Sequence, residues 1–133
     1  MDATDIKVLL KVGERISFEC KKAENNIPKS VWETYSSFAN TIGGIIVLGI
    51  TENIKFAGEA NHFEITGITN PQKLRKEFFD TLNSNKVNRN ILTDSDVEII
   101  DYEGVSLMCI TVPQADYRQR PIYINGNMMN GAF

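Results

Sequence analysis

The chain has 133 residues, a length that gives one domain a real core and is short for two domains. Apolar residues make up 42% and charged residues 23%, as in ordinary soluble globular proteins, and no apolar stretch approaches the roughly 18 residues of a membrane span. Many nucleic-acid-binding domains are basic overall, whereas this chain has a net charge of −3. The net charge therefore argues against that class of domain.

The N-terminus and the cysteines indicate in which cellular compartment the protein is expected. No basic segment precedes an apolar core at the N-terminus, so no secretory signal is predicted. Cys20 and Cys109 are the only cysteines, and they lack the CxxC spacing of metal and redox sites. These features predict a cytoplasmic protein with two reduced, structural thiols.

A short helix and a strand are the first predicted elements. Apolar side chains at near-helical spacing predict a helix over residues 4–11, which ends at Gly13. Residues 15–21 alternate between apolar and polar side chains, which is typical of a half-buried strand. Cys20 is on its apolar side and Glu19 on its polar side.

The second helix has the clearest pattern in the chain. Ser30 and Glu33 fit a capping box at its start, and Gly43 is suited to end it. Its apolar stripe comprises Val31, Trp32, Tyr35, Phe38, Ala39 and Ile42. The stripe predicts that its aromatic side chains belong to the core; the alternative is a platform on which bases stack.

Strands follow this helix. Residues 45–50 form an apolar run that predicts one strand buried on both faces, and residues 56–59 predict a return strand. Asn70 and Pro71 begin a third helix, with apolar side chains at every fourth position.

Two hairpins complete the predicted elements. Residues 97–102 and 105–112 flank a Glu-Gly turn. Residues 121–124 and the stretch from residue 128 onward flank Asn125-Gly126, which is typical of a type I′ turn.

Together, the predicted elements indicate an α+β fold in which two main helices and a short N-terminal helix pack on a single mixed β-sheet. All 133 residues are predicted to form one domain. The chain stops a few residues into the return strand of the last hairpin, so we expect an N-terminal part of a longer protein with a further C-terminal domain.

The pair Gly43-Gly44 raises the question of a phosphate loop. A Walker loop needs GxxxxGK[ST] between a strand and the helix that follows, where free N–H groups face the phosphate. Here the helix comes first, so the pair lies at its carbonyl end, and no lysine follows nearby. We therefore interpret the pair as a helix stop.

Three stretches resemble the Schlafen AlbA-like domain: GERISFECKK at residues 13–22, SFANTIGGIIVLGI at residues 37–50 and RPIYI at residues 120–124. The signature positions are Phe38, Ala39, Asn40, Thr41, Gly43, Gly44 and Gly49. The resemblance implies a DNA-binding or RNA-binding module of a bacterial transcriptional regulator. It implies no catalytic function, cofactor or metal for the module itself.

The resemblance also implies an enzymatic alternative, because some relatives are RNA nucleases with three carboxylates that hold a divalent metal. Glu14 and Glu19 match two acidic positions of the family, and Glu52 is the candidate for the third. Strand alternation puts Glu14 and Glu19 on opposite faces unless the strand begins after Glu14 or the chain bends at Gly13. The other interpretation is that Glu14 caps or pairs locally and that Glu19 pairs with Lys21 or Lys22 on a solvated strand.

Charge is unevenly spread. Residues 71–90 carry five basic and two acidic residues, whereas residues 91–104 carry five acidic and no basic ones. One surface of an acidic protein could therefore be basic. The candidate phosphate contacts beside the family motifs are Arg15, Lys21, Lys22, Arg118 and Arg120.

Aromatic residues interleave with the last two arginines. Tyr117 and Tyr123 are candidates for base stacking; the alternative is an exposed loop before a strand. His62 is the only histidine, which excludes a multi-histidine metal site, and we expect it on the surface or in a loop. A third hypothesis is a homodimer that pairs edge strands between chains.

Overall fold

The structure, a computed structural model, describes residues 1–12, 17–53 and 62–133. Its elements are α1 (Ala3–Val12), β1 (Phe18–Lys21), α2 (Ser30–Asn40), β2 (Gly44–Leu48), β3 (Ile50–Asn53), β4 (His62–Ile65), α3 (Pro71–Leu82), a 3₁₀ turn (Asp94–Asp96), β5 (Val97–Tyr102) and β6 (Val105–Val112). The predicted α+β class is confirmed. No helix within the described ranges is long and apolar enough to cross a membrane.

A four-stranded mixed sheet has the strand order β1-β2-β6-β5. β1 and β2 are parallel, which requires a crossover connection, and α2 supplies it. The other two pairings are antiparallel, and β3 and β4 form a separate two-stranded sheet. β1 and β5 are the outer strands, so edges for the homodimer exist; pairing of two chains stays a prediction.

Apolar side chains cover both faces of the four-stranded sheet. One face packs against α2 and α3, where Trp32 stacks on Phe78 with ring centroids 5.0 Å apart. The other face packs against α1 through Ile6. Trp32, Tyr35 and Phe38 are all buried, which confirms that the aromatic stripe is core.

Cys20 and Cys109 do not form a disulfide. Val47 lies between them, since it pairs with Cys20 across β1–β2 and with Cys109 across β2–β6. The cysteines are thus two strand spacings apart, about 9.5 Å, which is too far for a bridge. Burial raises the pKa of the Cys109 thiol to about 12, so this thiol stays protonated at neutral pH.

The predicted strand over residues 45–50 is wrong at its end, because Gly49 divides it into β2 and β3. Gly49 has φ +105°, and a Cβ there would lie 2.8 Å from Cδ2 of Leu107. Its N–H donates to the Lys21 carbonyl at 2.9 Å, while its carbonyl accepts from the Gly67 N–H at 2.8 Å. The glycine lets the chain pass from one sheet into the other.

The predicted capping box is also wrong. Lys29 already has helical angles (φ −58°, ψ −33°) and is the N-cap residue of α2, with no side-chain cap. The Val31 N–H donates to the Pro28 carbonyl at 3.1 Å, so the first turn starts before Ser30. Ser30 therefore lies inside the turn that it was predicted to cap.

α2 ends earlier than its apolar stripe indicates. Thr41 has φ −119° and ψ −112°, which are not helical angles. Ile42 is consequently 67% exposed, and its predicted place in the buried stripe is wrong.

Gly43 and Gly44 turn the chain from α2 into β2. Gly43 has φ +79°, and its N–H donates to the Phe38 carbonyl at 2.8 Å. A Cβ on Gly43 would lie 2.7 Å from the Val112 carbonyl oxygen, and one on Gly44 would lie 2.6 Å from the Phe38 ring. The pair is a helix stop at the carbonyl end of α2, as predicted.

The hairpin of β5 and β6 has its predicted bounds, whereas the last hairpin differs. Asn125 and Gly126 have φ values of 59° and 65°, which fit the predicted type I′ turn. Ala132 forms an antiparallel bridge with Tyr123, so the predicted return strand is present only at this end of the chain. Before it, the Asn127 side-chain oxygen accepts hydrogen bonds from the N–H groups of Met129 and Asn130 at 3.0 Å. These bonds fold the chain into a turn.

Some predicted features lie outside the described residues, among them residues 13–16 and the return strand over residues 56–59. Within the residues that the structure describes, β3 pairs with β4, which begins at His62. His62 therefore lies in a strand and not in a loop, and the alternative, a surface position, stays a prediction.

Candidate nucleic-acid interface

Two segments without acidic residues lie against the α2 side of the sheet. Residues 81–93 and 117–133 contain no aspartate or glutamate, although the chain has a net charge of −3. Together they carry four basic residues: Lys86, Arg89, Arg118 and Arg120. A surface made of these segments is positive in a protein that is negative overall.

Hydrogen bonds join the two segments. The Lys86 carbonyl accepts from the Asn125 N–H at 2.9 Å, and Lys86 Nζ donates to the Asn125 side-chain oxygen at 2.8 Å. Asn88 Oδ1 accepts from the Tyr123 N–H at 2.7 Å, and Asn88 Nδ2 donates to the Pro121 carbonyl at 3.2 Å. An amide can make both bonds of Asn88, whereas a carboxylate has no hydrogen to donate.

α2 anchors both segments from the core side. The Tyr35 hydroxyl donates to the Arg89 carbonyl at 2.9 Å and accepts from the Ile91 N–H at 3.2 Å. Burial raises the pKa of Tyr35 to about 12, so the hydroxyl keeps its proton at neutral pH. Asn40 Nδ2 donates to the Ile122 carbonyl at 2.9 Å, and Asn40 Oδ1 accepts from the Ile122 N–H at 2.8 Å.

We call the surface of Lys86, Arg89 and Arg120 the basic face. Both arginines are exposed, and none of the three residues forms an ion pair within the described parts of the chain. Arg89 directly follows Asn88, and Arg120 directly precedes Pro121, to which Asn88 is hydrogen-bonded. The two guanidinium groups therefore start from neighbouring backbone segments.

Lys21 and Lys22, which the sequence indicated as phosphate contacts, each lie beside a carboxylate. Lys21 Nζ is 3.2 Å from Glu19 Oε2, and Lys22 Nζ is 3.6 Å from Glu24 Oε1. Partly exposed pairs of this kind contribute little to stability, but they leave almost no net positive charge. The surface around β1 is consequently close to neutral.

Of the other predicted contacts, two lie in the second segment and one lies outside the described residues. Arg118 lies in the second segment, and its Nε is 3.4 Å from Asp116 Oδ1. Arg120 belongs to the basic face, and Arg15 lies outside the described residues. Lys86 and Arg89 were not among the predicted contacts, although a scan for stretches without aspartate or glutamate would have indicated them.

An open groove of about 390 Å³ beside α3 is a weaker candidate. It is lined by Gln72, Arg75, Lys76, Phe79, Asp80, Asn83 and Asp94. Arg75 Nη2 donates to the Asp94 carbonyl at 2.9 Å, and Lys76 Nζ is 2.8 Å from Asp80 Oδ2. Its cations thus already have partners, and the groove lacks the unpaired charge of the basic face.

The sequence model of the family described as Schlafen, AlbA_2 matches residues 14–130. The chain belongs to the Schlafen AlbA_2 family. The resemblance seen in the sequence motifs is therefore confirmed.

Among solved structures, this AlbA_2 domain is similar to the N-terminal domain of a protein from Nitrosomonas europaea that is named as related to the ATP-dependent DNA helicase RecG. The two are 28% identical, with a TM-score of 0.76, and the alignment covers 94% of this chain and 81% of the other. No curated protein matches the sequence.

The family signature of the AlbA_2 domain has structural roles here. Phe38 and Ala39 are buried, and the Ala39 carbonyl accepts from the Ala115 N–H at 2.8 Å. Thr41 Oγ1 donates to the Ser37 carbonyl at 2.7 Å, which satisfies a carbonyl in the last turn of α2. The signature therefore defines how α2 ends and what it anchors.

The acidic positions of the AlbA_2 domain do not form a described metal site. Glu19 Oε2 accepts from Thr34 Oγ1 at 2.9 Å in addition to its contact with Lys21, so the predicted local pairing is present. Glu52 lies on β3 in the second sheet, and Glu14 lies outside the described residues. No group of three histidine, cysteine, aspartate or glutamate residues within the described ranges could hold a metal ion. A nuclease site that includes Glu14 stays a prediction.

Proposed function

We propose that this AlbA_2 domain binds nucleic acid, in the first place DNA, by contacting backbone phosphates with the basic face. In this proposal the domain is a non-catalytic module of a longer, cytoplasmic bacterial transcriptional regulator. The observation that carries it is the hydrogen-bonded pair of segments, in which Lys86, Arg89 and Arg120 form no ion pair within the described residues.

Electrostatics favours this surface over the one around β1. A phosphate approaching Lys21 or Lys22 also meets Glu19 or Glu24, so attraction and repulsion nearly cancel. A phosphate approaching Arg89 or Arg120 meets no carboxylate in those segments. This difference in electrostatic attraction favours first contact of a polyanion with the basic face.

The relatives support the same class of ligand. The resemblance to the Schlafen AlbA-like domain implies a DNA-binding or RNA-binding module, and the similar solved structure comes from a protein named as related to a DNA helicase. Both links concern nucleic acid, although the role in a transcriptional regulator rests on the family resemblance alone.

Salt dependence of DNA binding tests the proposal. Three phosphate contacts predict a slope of log K against log salt of about −2.7, so affinity falls about 40-fold for a fourfold rise in salt. We would measure fluorescence anisotropy of a short labelled duplex with the protein and with the single variants Arg89→Gln and Arg120→Gln. Each variant should flatten the slope by about 0.9.

Lys11→Gln is the matched control. Lys11 is exposed on α1, which packs on the opposite face of the sheet, and its substitution removes the same charge. It should leave the slope unchanged. If Arg89→Gln and Arg120→Gln bind DNA like the unmodified protein, with the same slope, the proposal is wrong.

A further inference from the structure

The loop that carries Arg120 also presents an exposed aromatic ring, and both its ends are anchored on α2. Before the loop, the Ala115 N–H donates to the Ala39 carbonyl at 2.8 Å; after it, Asn40 makes its two bonds to Ile122. Tyr117 lies between these anchors and is 72% exposed. The loop therefore displays the ring from a fixed base.

The loop has internal order as well. The Gln119 N–H donates to the Asp116 carbonyl at 2.8 Å, which closes a four-residue turn with Tyr117 and Arg118 at its centre. Asp116 Oδ1 accepts from the Arg118 N–H at 2.9 Å, and the Asp116 N–H donates to the Gln119 side chain at 3.2 Å. A ligand that contacts Tyr117 has little loop entropy to overcome.

A cation accompanies the exposed ring. The Arg118 guanidinium lies 5.5 Å from the centroid of the Tyr117 ring, and Asp116 orients it. A single exposed tyrosine is ordinary on a protein surface. Here the ring combines with the arginine beside it and with Arg120 in the same loop, which forms no ion pair among the residues that the structure describes. Aromatic rings beside a cationic track are how proteins bind single-stranded nucleic acid.

We infer that Tyr117 stacks on an unpaired base of a nucleic acid whose phosphates contact the basic face. The ligand is accordingly a duplex with a single-stranded extension, and the extension reaches the Asp116–Gln119 turn. In a continuous duplex the base faces are stacked on one another and cannot reach the ring. This inference rests on the proposed function and names the structure of its ligand.

The test compares a blunt DNA duplex with the same duplex bearing a single-stranded overhang. The overhang should tighten binding by about 5- to 150-fold, the range for one stacked base. Tyr117→Ala should remove this advantage and leave affinity for the blunt duplex unchanged, whereas Tyr117→Phe should keep the advantage. An overhang with 2-aminopurine reports stacking directly, since its fluorescence should be quenched by the unmodified protein and not by Tyr117→Ala.

Two outcomes separate this inference from the proposed function. If Tyr117→Ala retains both the overhang preference and the quenching, while Arg89→Gln and Arg120→Gln still weaken binding, the stacking inference is overturned and phosphate binding stands. If Arg89→Gln and Arg120→Gln change neither duplex nor overhang binding, the proposed function is overturned and the inference with it.

Discussion

Asn40 and Ile122, which are 82 residues apart in sequence, form a pair of reciprocal hydrogen bonds. The Asn40 amide donates to the Ile122 carbonyl at 2.9 Å and accepts from the Ile122 N–H at 2.8 Å. Ser36 Oγ donates to the same carbonyl at 2.7 Å. The asparagine of the family signature is thus the anchor of the segment that carries Arg120.

Asn40→Ala should destabilise the domain by about 2–4 kcal/mol, because the Ile122 N–H loses its partner and the hydrogen bonds of the Asn40 side chain disappear from a partly buried site. Urea unfolding would show a lower midpoint with an unchanged m-value. Asn85→Ala is the control, since Asn85 is an exposed asparagine in another loop. Equal midpoints for the two variants would contradict the anchoring role.

Tyr35→Phe should weaken the contact of the first segment with α2. The phenylalanine fills the same space, but the Arg89 carbonyl and the Ile91 N–H lose the hydroxyl, at a cost of about 1–3 kcal/mol. If this contact positions Arg89, DNA affinity should also fall under conditions where the variant is fully folded. Anisotropy titration and urea unfolding of the same preparation check the two effects, and an unchanged Kd would show that Arg89 is positioned by other contacts.

The features of α2 that depend on one local property of the sequence were predictable. The apolar stripe predicted its buried face, and Gly43 predicted its end region. The stripe overextended to Ile42, because periodicity counts apolar residues and does not report where the backbone leaves helical angles at Thr41. The capping box at Ser30 failed because Pro28 and Lys29 start the helical turn earlier.

Alkaline pH should destabilise the domain through two buried acids. The pKa of Tyr35 is raised from 10.0 to about 12 by burial, and that of Cys109 from 9.0 to about 12 by burial and by the charge of Glu98. Between pH 9.0 and about 12 the unfolded chain therefore holds fewer protons than the folded one, so the free energy of unfolding falls as pH rises.

Urea unfolding across this pH window measures the slope. Tyr35→Phe should reduce the loss of stability above pH 10.0, and Cys109→Ala should reduce it from pH 9.0 upward. A variant that loses stability as steeply as the unmodified protein would show that the substituted group does not titrate as its burial predicts.

The basic face could be predicted only in part. Arg120 was indicated because it is the first residue of RPIYI, but Lys86 and Arg89 become relevant only once Asn88 joins their segment to Pro121. Asn88 and Pro121 are 33 residues apart in sequence, so a local count of charges does not combine their segments. Lys21 and Lys22 were candidate phosphate contacts by sequence, with local pairing of Glu19 as the alternative, and the fold places Glu19 beside Lys21 and Glu24 beside Lys22.

Asn88→Asp should weaken DNA binding more than one added negative charge alone would. The carboxylate can still accept from the Tyr123 N–H, but it cannot donate to the Pro121 carbonyl, and it adds a negative charge directly before Arg89. We expect DNA affinity at low salt to fall by about 10-fold or more, since like charge then faces the phosphate. Anisotropy titration would measure this change.

Asn88→Ala and Asn26→Asp separate the two causes in that prediction. Asn88→Ala removes the hydrogen bonds without adding charge, and Asn26→Asp adds the same charge at an exposed site in the loop before α2. Asn88→Ala should lower stability with a smaller loss of affinity, and Asn26→Asp should change neither strongly. If Asn26→Asp weakens binding as much as Asn88→Asp, affinity depends on the net charge of the domain, and the basic face is not where the phosphates bind.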